Sequence, residues 1–381
     1  MALRLIGSVF LVLLAAVGAP AQDVPAADLT KHIDALSAFD FATRMNAARM
    51  IRRTAATEAV PALSRAVRLH ADQFVRYRAL VLLSAFNDPG TGAIMRGLLA
   101  DRNDRVREVA YRWFEGHPEP ALHDALLAAL NTEQAEFVRP ALVRALAAHA
   151  DNAAVQRALI AEAGRGLDFF RSAVIGALGE QRATYAVNAI IPIVSLDGPL
   201  QDDAILALGR IGDRAALPAL ASLTMVPPEA APSLQAAQCL LGDRCDERIA
   251  WLAQAARTET RLVVSKAAVA ILGVLAGADH SPAVDALFDL ERATNRLRGD
   301  VAVALSTMAL RRPRETIAWL AKTPADRRGR AIELLHEGFD SLEEDFAEEQ
   351  FYAAARAEYW AAPEGSDQRT LTASLIDKLE F

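Results

Sequence analysis

The 381-residue chain has few cysteines, few lysines and few aromatic residues. The two Cys residues exclude a small disulfide-stabilised scaffold, and 6% aromatic residues, with Ala at 80 positions, argue against a β-rich protein. Gly and Pro are scattered rather than clustered, which excludes a collagen-like or disordered chain. Basic residues are 37 Arg and 4 Lys, and the formal net charge is −7. This acidic balance argues against nucleic acid as a partner.

Residues 1–21 contain the three parts of a secretory signal peptide. Arg4 supplies the positive n-region, an uncharged and mostly apolar run extends from Leu5 to Ala19, and Ala19-Pro20-Ala21 is a small-x-small cleavage site. The alternative is an uncleaved anchor, but this run is shorter than the roughly 20 apolar residues that span a bilayer. No later segment is long and apolar enough to do so. We therefore expect a cleaved signal peptide, no membrane span in the mature chain, and a periplasmic or secreted protein.

A repeat of about 32 residues follows this leader. One pattern, a small residue and an aliphatic residue followed by Ala and Leu or similar residues, has its anchors at positions 60, 94, 122, 155, 187, 217, 249, 284 and 317. A second pattern, an aliphatic or aromatic residue followed by Arg, recurs at Val75-Arg76, Val106-Arg107, Val138-Arg139, Phe170-Arg171 and Leu297-Arg298. Each such pair precedes an Ala/Leu-rich stretch with helical spacing, and no stretch alternates long enough to form a strand. The patterns therefore predict two amphipathic helices in each unit.

Stacking of these helix pairs determines the expected architecture. A single pair cannot bury its apolar face, whereas neighbouring pairs bury it for each other. The abundant Ala residues let adjacent helices approach to about 8–10 Å. We expect an all-α, right-handed α-solenoid of about nine or ten helix pairs, forming a curved rod on the order of 90 Å long. The expected divisions are the signal peptide 1–21, the repeat array 22–330 and an acidic C-terminal capping segment 331–381.

Two segments resemble a known repeat family. The segment 207–220, ALGRIGDRAALPAL, resembles the HEAT-like repeat first noted in phycobilisome lyases, and the segment 101–107, DRNDRVR, resembles the inter-helix turn of HEAT repeats. In such turns an acidic residue six positions before the Arg helps to build a ladder between successive turns. The resemblance, over about residues 28–330, implies an armadillo-like helical fold with the Arg-bearing helices on the concave side. Because Arg165 stands six positions before Arg171, and Gln201 replaces the Arg of the next repeat, we expect an interrupted ladder.

Arg and aromatic residues cluster in the second and third repeats, where we place the candidate binding surface. The candidate binding residues are Arg76, Tyr77, Arg107, Tyr111 and Trp113. Tyr, Trp and Arg dominate interface hot spots, and the resemblance places their helices on the concave face. The alternative is that the aromatic residues pack between repeats and that the Arg residues bond to carboxylates and carbonyls of the turns.

Cys239 and Cys245 are candidates for a disulfide that closes a helix hairpin in an exported protein. The alternative is two buried thiols that replace Ala in the core. No CxxC, GxSxG, HExxH, P-loop or GxGxxG motif is present, and no two His residues are three or four positions apart. We therefore expect no catalytic residue, no metal site and no cofactor.

The acidic segment 331–381 departs from the repeat. It holds 13 acidic and 3 basic residues, with an acidic run from Glu343 to Glu349, and it follows a basic stretch at 311–330. Three interpretations are open: a capping helix with a polar outer face, an acidic and aromatic docking element for a basic partner, and a segment that folds onto the basic penultimate repeat.

These features predict a non-catalytic scaffold of the cell envelope that binds a protein partner on its concave face. The sequence does not specify that partner. The alternative is an enzyme or enzyme subunit of the HEAT-like lyase or metal-hydroxylase type. Deoxyhypusine hydroxylases of the latter type hold iron with several His-Glu pairs, whereas this chain has one, His336-Glu337, beyond the repeats.

Overall fold

A computed structural model describes residues 26–223, 226–342 and 344–379 of the chain. All the regular elements in these residues are helical, which confirms the all-α solenoid that the repeat predicts. None of the described helices is both long and apolar enough to span a bilayer. The expected signal peptide, residues 1–21, lies outside the described residues.

The helices alternate between two layers, and ten pairs follow one another along the described chain. The first helices of the pairs form the outer layer: α1 (Ala26–Asp34), α3 (Ala56–Leu69), α5 (Thr91–Gly97), α7 (His123–Thr132), α9 (Ala153–Ala163), α11 (Val187–Ile190), α13 (Leu217–Ala221), α15 (Cys245–Thr258), α17 (Ser281–Ala293) and α19 (Pro313–Lys322). The second helices form the inner layer: α2 (Phe41–Arg53), α4 (Gln73–Ser84), α6 (Asp104–Gly116), α8 (Arg139–Ala147), α10 (Asp168–Glu180), α12 (Pro199–Ile211), α14 (Ala231–Leu240), α16 (Leu262–Gly277), α18 (Arg298–Arg311) and α20 (Ala325–Leu342). Two further helices follow the pairs: α21 (Asp345–Ala361) and α22 (Asp367–Leu379). Successive inner helices pack against each other from α4 to α20, so this layer is continuous.

Short 3-10 helices supplement the pairs at their turns. They are Ala35–Ser37, Pro120–Leu122, Thr184–Ala186, Ile191–Ser195, Arg214–Ala216 and Asn295–Leu297. Several of them lead directly into an α-helix, so the turn tightens before the helix begins.

The repeated aliphatic-Arg pair marks the start of an inner helix. In α4, Asp72 caps the helix by accepting a hydrogen bond from the Phe74 backbone N–H at 2.8 Å, and in α6 Asn103 accepts one from the Arg105 N–H at 3.0 Å. The aliphatic residue that follows, Val75 in α4, is fully buried in the core. The motif therefore combines a capping residue, a core residue and an Arg whose side chain binds groups of the turns between helices.

Small residues set the distance between neighbouring inner helices. A Cβ added at Gly179 of α10 would lie 2.9 Å from Ala207 Cα of α12, and one added at Gly273 of α16 would lie 2.9 Å from Ala304 Cβ of α18. Such an approach leaves no room for a larger side chain on either helix. The packing accounts for part of the Ala content that the sequence shows.

The described array is not an open rod. Glu180 of α10 pairs with Arg311 of α18, four repeats further along, and α21 packs against α4 near the start of the chain. Inner helices take part in both contacts, through α10 and α18 in the first and α4 in the second, so the inner layer is the concave face. The array is therefore curved, as expected for the rod, and it closes further on itself because α21 returns to the N-terminal repeats.

Candidate functional site

Helix α21 covers the concave face of the first three inner helices, and we call this contact the closure. Three Arg residues of the inner helices pair with three carboxylates of the acidic segment: Arg52 with Glu349, Arg78 with Asp345 and Arg112 with Glu344. In the first pair, Arg52 Nε donates to both carboxylate oxygens of Glu349 at 3.0 Å, and its Nη2 donates to one of them at 2.6 Å. Glu349 is only 2% exposed, so this bidentate pair is buried.

Uncharged groups complete the closure. The Tyr77 hydroxyl donates to Asp345 at 2.9 Å, and Gln350 Nε2 donates to the Ser84 hydroxyl at 2.7 Å. Phe346 of α21 is buried in the apolar cluster of the N-terminal repeats. The acidic segment thus binds the first repeats through its carboxylates. Its helices α21 and α22 also pack against α19, within the basic stretch 311–330, as the interpretation of a segment folded onto the penultimate repeat expects.

Burial changes the protonation of one carboxyl group in this segment. It raises the pKa of Glu348 to about 7, and the neighbouring carboxylate of Asp345 acts in the same direction. The carboxylate of Glu348 accepts a hydrogen bond from the backbone N–H of Glu344 at 2.9 Å, which partly offsets the effect of burial. Folding therefore favours the protonated form of Glu348.

Charge pairs also fill the concave face away from the closure. Glu115 of α6 lies 3.4 Å from Arg144 of α8, and Glu180 of α10 pairs with both Arg210 of α12, at 3.5 Å, and Arg311 of α18. Burial raises the pKa of Glu115 and lowers the pKa of Arg210, as expected where inner helices shield each other from water. The sequence indicated none of these pairs, because each joins residues of different repeats.

Two of the five predicted binding residues form rungs of the expected ladder. Arg76 binds the carboxylate of Asp101 in the next turn, and Arg107 binds that of Glu133 in the turn after it, with Nε and Nη2 each donating at 2.7 Å. Arg107 also donates to the carbonyl oxygen of Asp101 at 2.8 Å. Bonds from these Arg residues to carboxylates and carbonyls of the turns are the alternative that the sequence left open beside ligand binding.

The ladder stops at the next repeat. Arg139 lies over the ring of Phe170, 3.7 Å from its centroid, and the turn ahead carries Arg165 where an acid would be needed. Arg171 donates instead to the carbonyl oxygen of Ala163 at 3.1 Å. The interruption predicted from the sequence is confirmed.

The three predicted aromatic residues make internal contacts. Tyr111 is 1% exposed and donates to the carbonyl oxygen of Leu99 at 3.2 Å, and burial raises its pKa to about 12. Trp113 stacks on His117 with ring centroids 3.7 Å apart. Tyr77 faces α21, where burial, the charge of Asp345 and the hydrogen bond to it raise the pKa of the phenol. The structure therefore brings the predicted residues together, but their side chains contact other parts of the same chain.

A groove of about 460 Å³ lies beside these residues, between the third and fourth helix pairs. Its polar lining includes Arg107, Tyr111, Asp101 and Glu133. The same four residues bond to each other or to backbone carbonyls as described above. The groove therefore offers few polar groups that could bind a small ligand without breaking the ladder.

Exposed apolar side chains concentrate along one edge of the described array. Of the twelve large apolar residues that are most exposed, ten lie beside or within the turn before an inner helix or in that helix's first turn. We call these ten residues the edge row: Phe39, Phe41, Leu69, Phe74, Phe137, Leu167, Phe169, Leu196, Leu262 and Val263. The other two are Trp251 of α15 and Trp360 of α21. The members lie at the starts of α2, α4, α8, α10, α12 and α16, so the row is interrupted at α6 and α14. Stacking places members in adjacent pairs about 10 Å apart.

Three members of the edge row occupy the same position of the repeat. Phe74, Phe137 and Phe169 each stand directly before the aliphatic or aromatic residue of the aliphatic-Arg pair. They are exposed by 41%, 49% and 66%, respectively, whereas the residue after each of them is buried. The regularity is present in the sequence, but a prediction based on the aliphatic-Arg pair alone misses the residue before it.

The two cysteines lie where α14 ends and α15 begins. A disulfide joins Cys239 to Cys245, and His280 Nδ1 lies 3.5 Å from Cys245 Sγ. Within the ranges 26–223, 226–342 and 344–379, these three residues are the one group with three potential metal ligands in reach of each other. In the single His-Glu dipeptide, Glu337 pairs with Arg298 of α18.

Comparisons with known proteins identify one repeat family and several similar chains. Residues 29–113 match the model of the family described as HEAT repeats, and the chain as a whole is a helical-repeat protein. Human deoxyhypusine hydroxylase is 17% identical, with a TM-score of 0.27, over 65% of this chain and 95% of its own. Two mutant forms of Kap121p are 11% identical, with TM-scores of 0.32 and 0.31, over 93% of this chain and 45% of theirs. No curated protein matches the chain in sequence.

Proposed function

We propose that the chain is a non-catalytic scaffold of the cell envelope that binds a protein partner along the edge row. The observation that carries this proposal is the concentration of exposed apolar residues on one edge of the array. Monomeric soluble proteins rarely expose large contiguous apolar patches, and such patches often mark an interaction site. Stacked repeats also present such a surface in an extended form, which suits contact with another protein.

The concave face is the second candidate surface, as the sequence predicted. Its N-terminal part is covered by the closure, so a partner would have to displace α21 and break the buried pair of Arg52 with Glu349. Binding along the edge row requires no such rearrangement, and most interfaces form with little backbone movement. For this reason we favour the edge row as the main contact surface.

Two features of the chain support export. Residues 1–21 have the pattern of a cleaved signal peptide, and the pairing of Cys239 with Cys245 suits an oxidising compartment. We propose a periplasmic or secreted location, with the mature chain beginning at Gln22. Mass spectrometry of the protein from the envelope fraction would identify this N-terminus, and an intact Met1 would contradict the proposal.

An enzyme of the HEAT-like lyase or metal-hydroxylase type is the alternative function. The one His-Glu dipeptide does not favour it, because Glu337 is held by the Arg298 guanidinium and no second such dipeptide exists in the sequence. Iron or a chromophore bound in stoichiometric amount to the purified protein would contradict a non-catalytic scaffold.

Replacing two members of the edge row should weaken partner binding at least tenfold. Phe137 and Phe169 lie at the starts of the adjacent inner helices α8 and α10. The double variant Phe137→Ser/Phe169→Ser therefore removes two neighbouring apolar contacts. Aromatic interface residues often contribute more than about 1 kcal/mol each, and the two together give at least this loss of affinity. The measurement is the dissociation constant of the purified variant for a partner first isolated from an envelope extract with the unchanged protein.

The matched control is Trp251→Ser, which changes an exposed aromatic residue on the outer helix α15, outside the edge row. We expect this variant to bind the partner as tightly as the unchanged protein. Equal affinity of the Phe137→Ser/Phe169→Ser variant and the unchanged protein would remove the edge row as the contact surface.

A further inference from the structure

The cysteine pair differs from a disulfide that holds a fold together. Cys239 is the penultimate residue of α14 and is 2% exposed, whereas Cys245 is the first residue of α15 and only half-buried. Cys245 is therefore the more accessible of the two bonded residues to a thiol in solution. Such a difference in access between two bonded sulfurs directs attack to one of them.

The hairpin is held by other contacts as well. Gly242 has a φ of 81° and ends α14, so that the Gly242 N–H donates to the Cys239 carbonyl at 2.8 Å. Arg248 of α15 reaches back to Asp243 in the turn at 2.8 Å and to Gln235 of α14 at 2.9 Å. The bond also closes a short loop, because the two cysteines are only 6 positions apart. A short loop loses little chain entropy on cross-linking, so the fold depends little on this disulfide.

The surroundings of Cys245 favour a thiolate. Its Sγ lies at the N-terminus of the 14-residue helix α15, where the helix dipole stabilises negative charge. His280 Nδ1, at the start of α17, lies 3.5 Å away and can donate a hydrogen bond to the sulfur. Of the other charged groups nearby, Asp279 pairs with Arg312, and Arg244 pairs with Asp243 and Glu247, while Asp246 follows Cys245 in the first turn of α15. Low-pKa thiols occur in surroundings of this kind, at helix N-termini and beside His.

We infer that Cys239 and Cys245 form an exchangeable disulfide that reacts with thiols at Cys245, with His280 as the residue that stabilises the departing Cys245 thiolate. This activity goes beyond the scaffold role and does not depend on it. The substrate class is a thiol, either of low molecular weight or on an exposed segment of another exported protein.

The exchange proceeds in two steps. A thiolate R–S⁻ attacks Cys245 Sγ, the bond between Cys239 and Cys245 breaks, and R becomes bonded to Cys245 while Cys239 leaves as a thiolate and takes a proton from water. A second R–S⁻ attacks the sulfur of the bound R, so R–S–S–R forms and Cys245 leaves as a thiolate. Overall, two thiols are oxidised to one disulfide, and the cysteine pair accepts the two electrons.

Glutathione is the probe for the test, with the full-length oxidised protein under native conditions. We expect mass spectrometry to show glutathione on Cys245 and not on Cys239, followed by complete reduction of the pair. The variant His280→Ala should be fully reduced about threefold more slowly, because a rise of about one unit in the pKa of the leaving thiol has this effect on the rate. The matched control, His32→Ala on α1, should react like the unchanged protein.

Unfolding cannot imitate this result, because an unfolded chain exposes the disulfide and is reduced faster, not more slowly. The proposal is overturned if an excess of glutathione leaves the native protein oxidised while the denatured protein is reduced. It is overturned equally if the adduct forms on Cys239, or if His280→Ala is reduced at the rate of the unchanged protein.

Discussion

The variant Glu349→Ala should lose about 3 kcal/mol of the free energy of unfolding, since breaking a buried ion pair leaves the remaining charge in a poorly solvated place. Glu349 is the most buried carboxylate of the closure and binds Arg52 through both of its oxygens. Urea denaturation followed by circular dichroism measures the loss. Hydrogen exchange should show it first in α2 and α21, which the pair connects.

Two further variants separate the lost charge pair from a general effect of mutation. The double variant Arg52→Met/Glu349→Met should recover much of the loss, because it removes both charges and keeps apolar volume in their place. Glu364→Ala changes an exposed carboxylate after α21 and should alter stability by less than about 0.5 kcal/mol. If Glu349→Ala is as stable as Glu364→Ala, the closure contributes nothing to the stability of the protein.

Two glycines on one helix should respond to alanine in opposite directions. Gly179→Ala in α10 should destabilise the protein by about 2 kcal/mol, because the added methyl group meets Ala207 Cα of α12 at 2.9 Å and forces the helices apart. Gly176→Ala, one turn earlier, places its methyl group where no atom lies within 4 Å. It should stabilise the protein by about 0.5–1 kcal/mol, since alanine has the better helix propensity.

Thermal unfolding of the two variants provides the comparison, and each serves as the control of the other. The helix, the substitution and the change in propensity are the same, so the difference isolates the contact between α10 and α12. Equal shifts of the unfolding temperature in both variants would show that small residues do not set the spacing of the inner helices.

Local sequence patterns sufficed to predict the repeated parts of the fold. The aliphatic-Arg pair reports a cap, a core position and a turn contact within a few residues, and so the start of α4, the rung between Arg76 and Asp101, and the gap after Arg139 all follow from it. Stacking then requires only that each pair contacts the next one. The repeated helical array therefore depends on interactions that are close in the chain.

The closure could not be predicted in the same way. Arg52 and Glu349 lie 297 positions apart, and no periodicity links them. The acidic run is an evident feature, but its carboxylates pair with Arg residues of the first three inner helices, although α21 also packs against α19 of the basic stretch 311–330. Members of that stretch pair with earlier repeats instead, as Arg311 does with Glu180. The sequence does hold one signal of the closure. Arg52 lies near the end of α2, and Arg78 lies two positions after the ladder residue Arg76, so neither arginine is part of the ladder.

The candidate binding surface shows a second limit of prediction from sequence alone. Residue type led to Tyr111 and Trp113, which are hot-spot residues in many interfaces, but the same rings serve as packing between repeats. Only burial distinguishes the two roles, and burial depends on the neighbouring repeat. The edge row shows the opposite case, because Phe137 and Phe169 resemble core residues in sequence and lie exposed in the structure.

A cysteine cross-link tests directly whether α21 returns to the N-terminal repeats. Ser84 of α4 and Gln350 of α21 are hydrogen-bonded at 2.7 Å and lie 266 positions apart. The variant Ser84→Cys/Gln350→Cys, with Cys239 and Cys245 replaced by Ala, should form an intramolecular disulfide on mild oxidation. A chain that is closed into a loop of this length migrates as a band distinct from the linear chain on a non-reducing denaturing gel.

The control pair combines Gln350→Cys with Asn131→Cys, which lies exposed on the outer helix α7. We expect nearly complete cross-linking of Ser84→Cys/Gln350→Cys within one molecule and none for the control pair. A test pair that remains reduced, or that cross-links no faster than the control, would contradict the closed array.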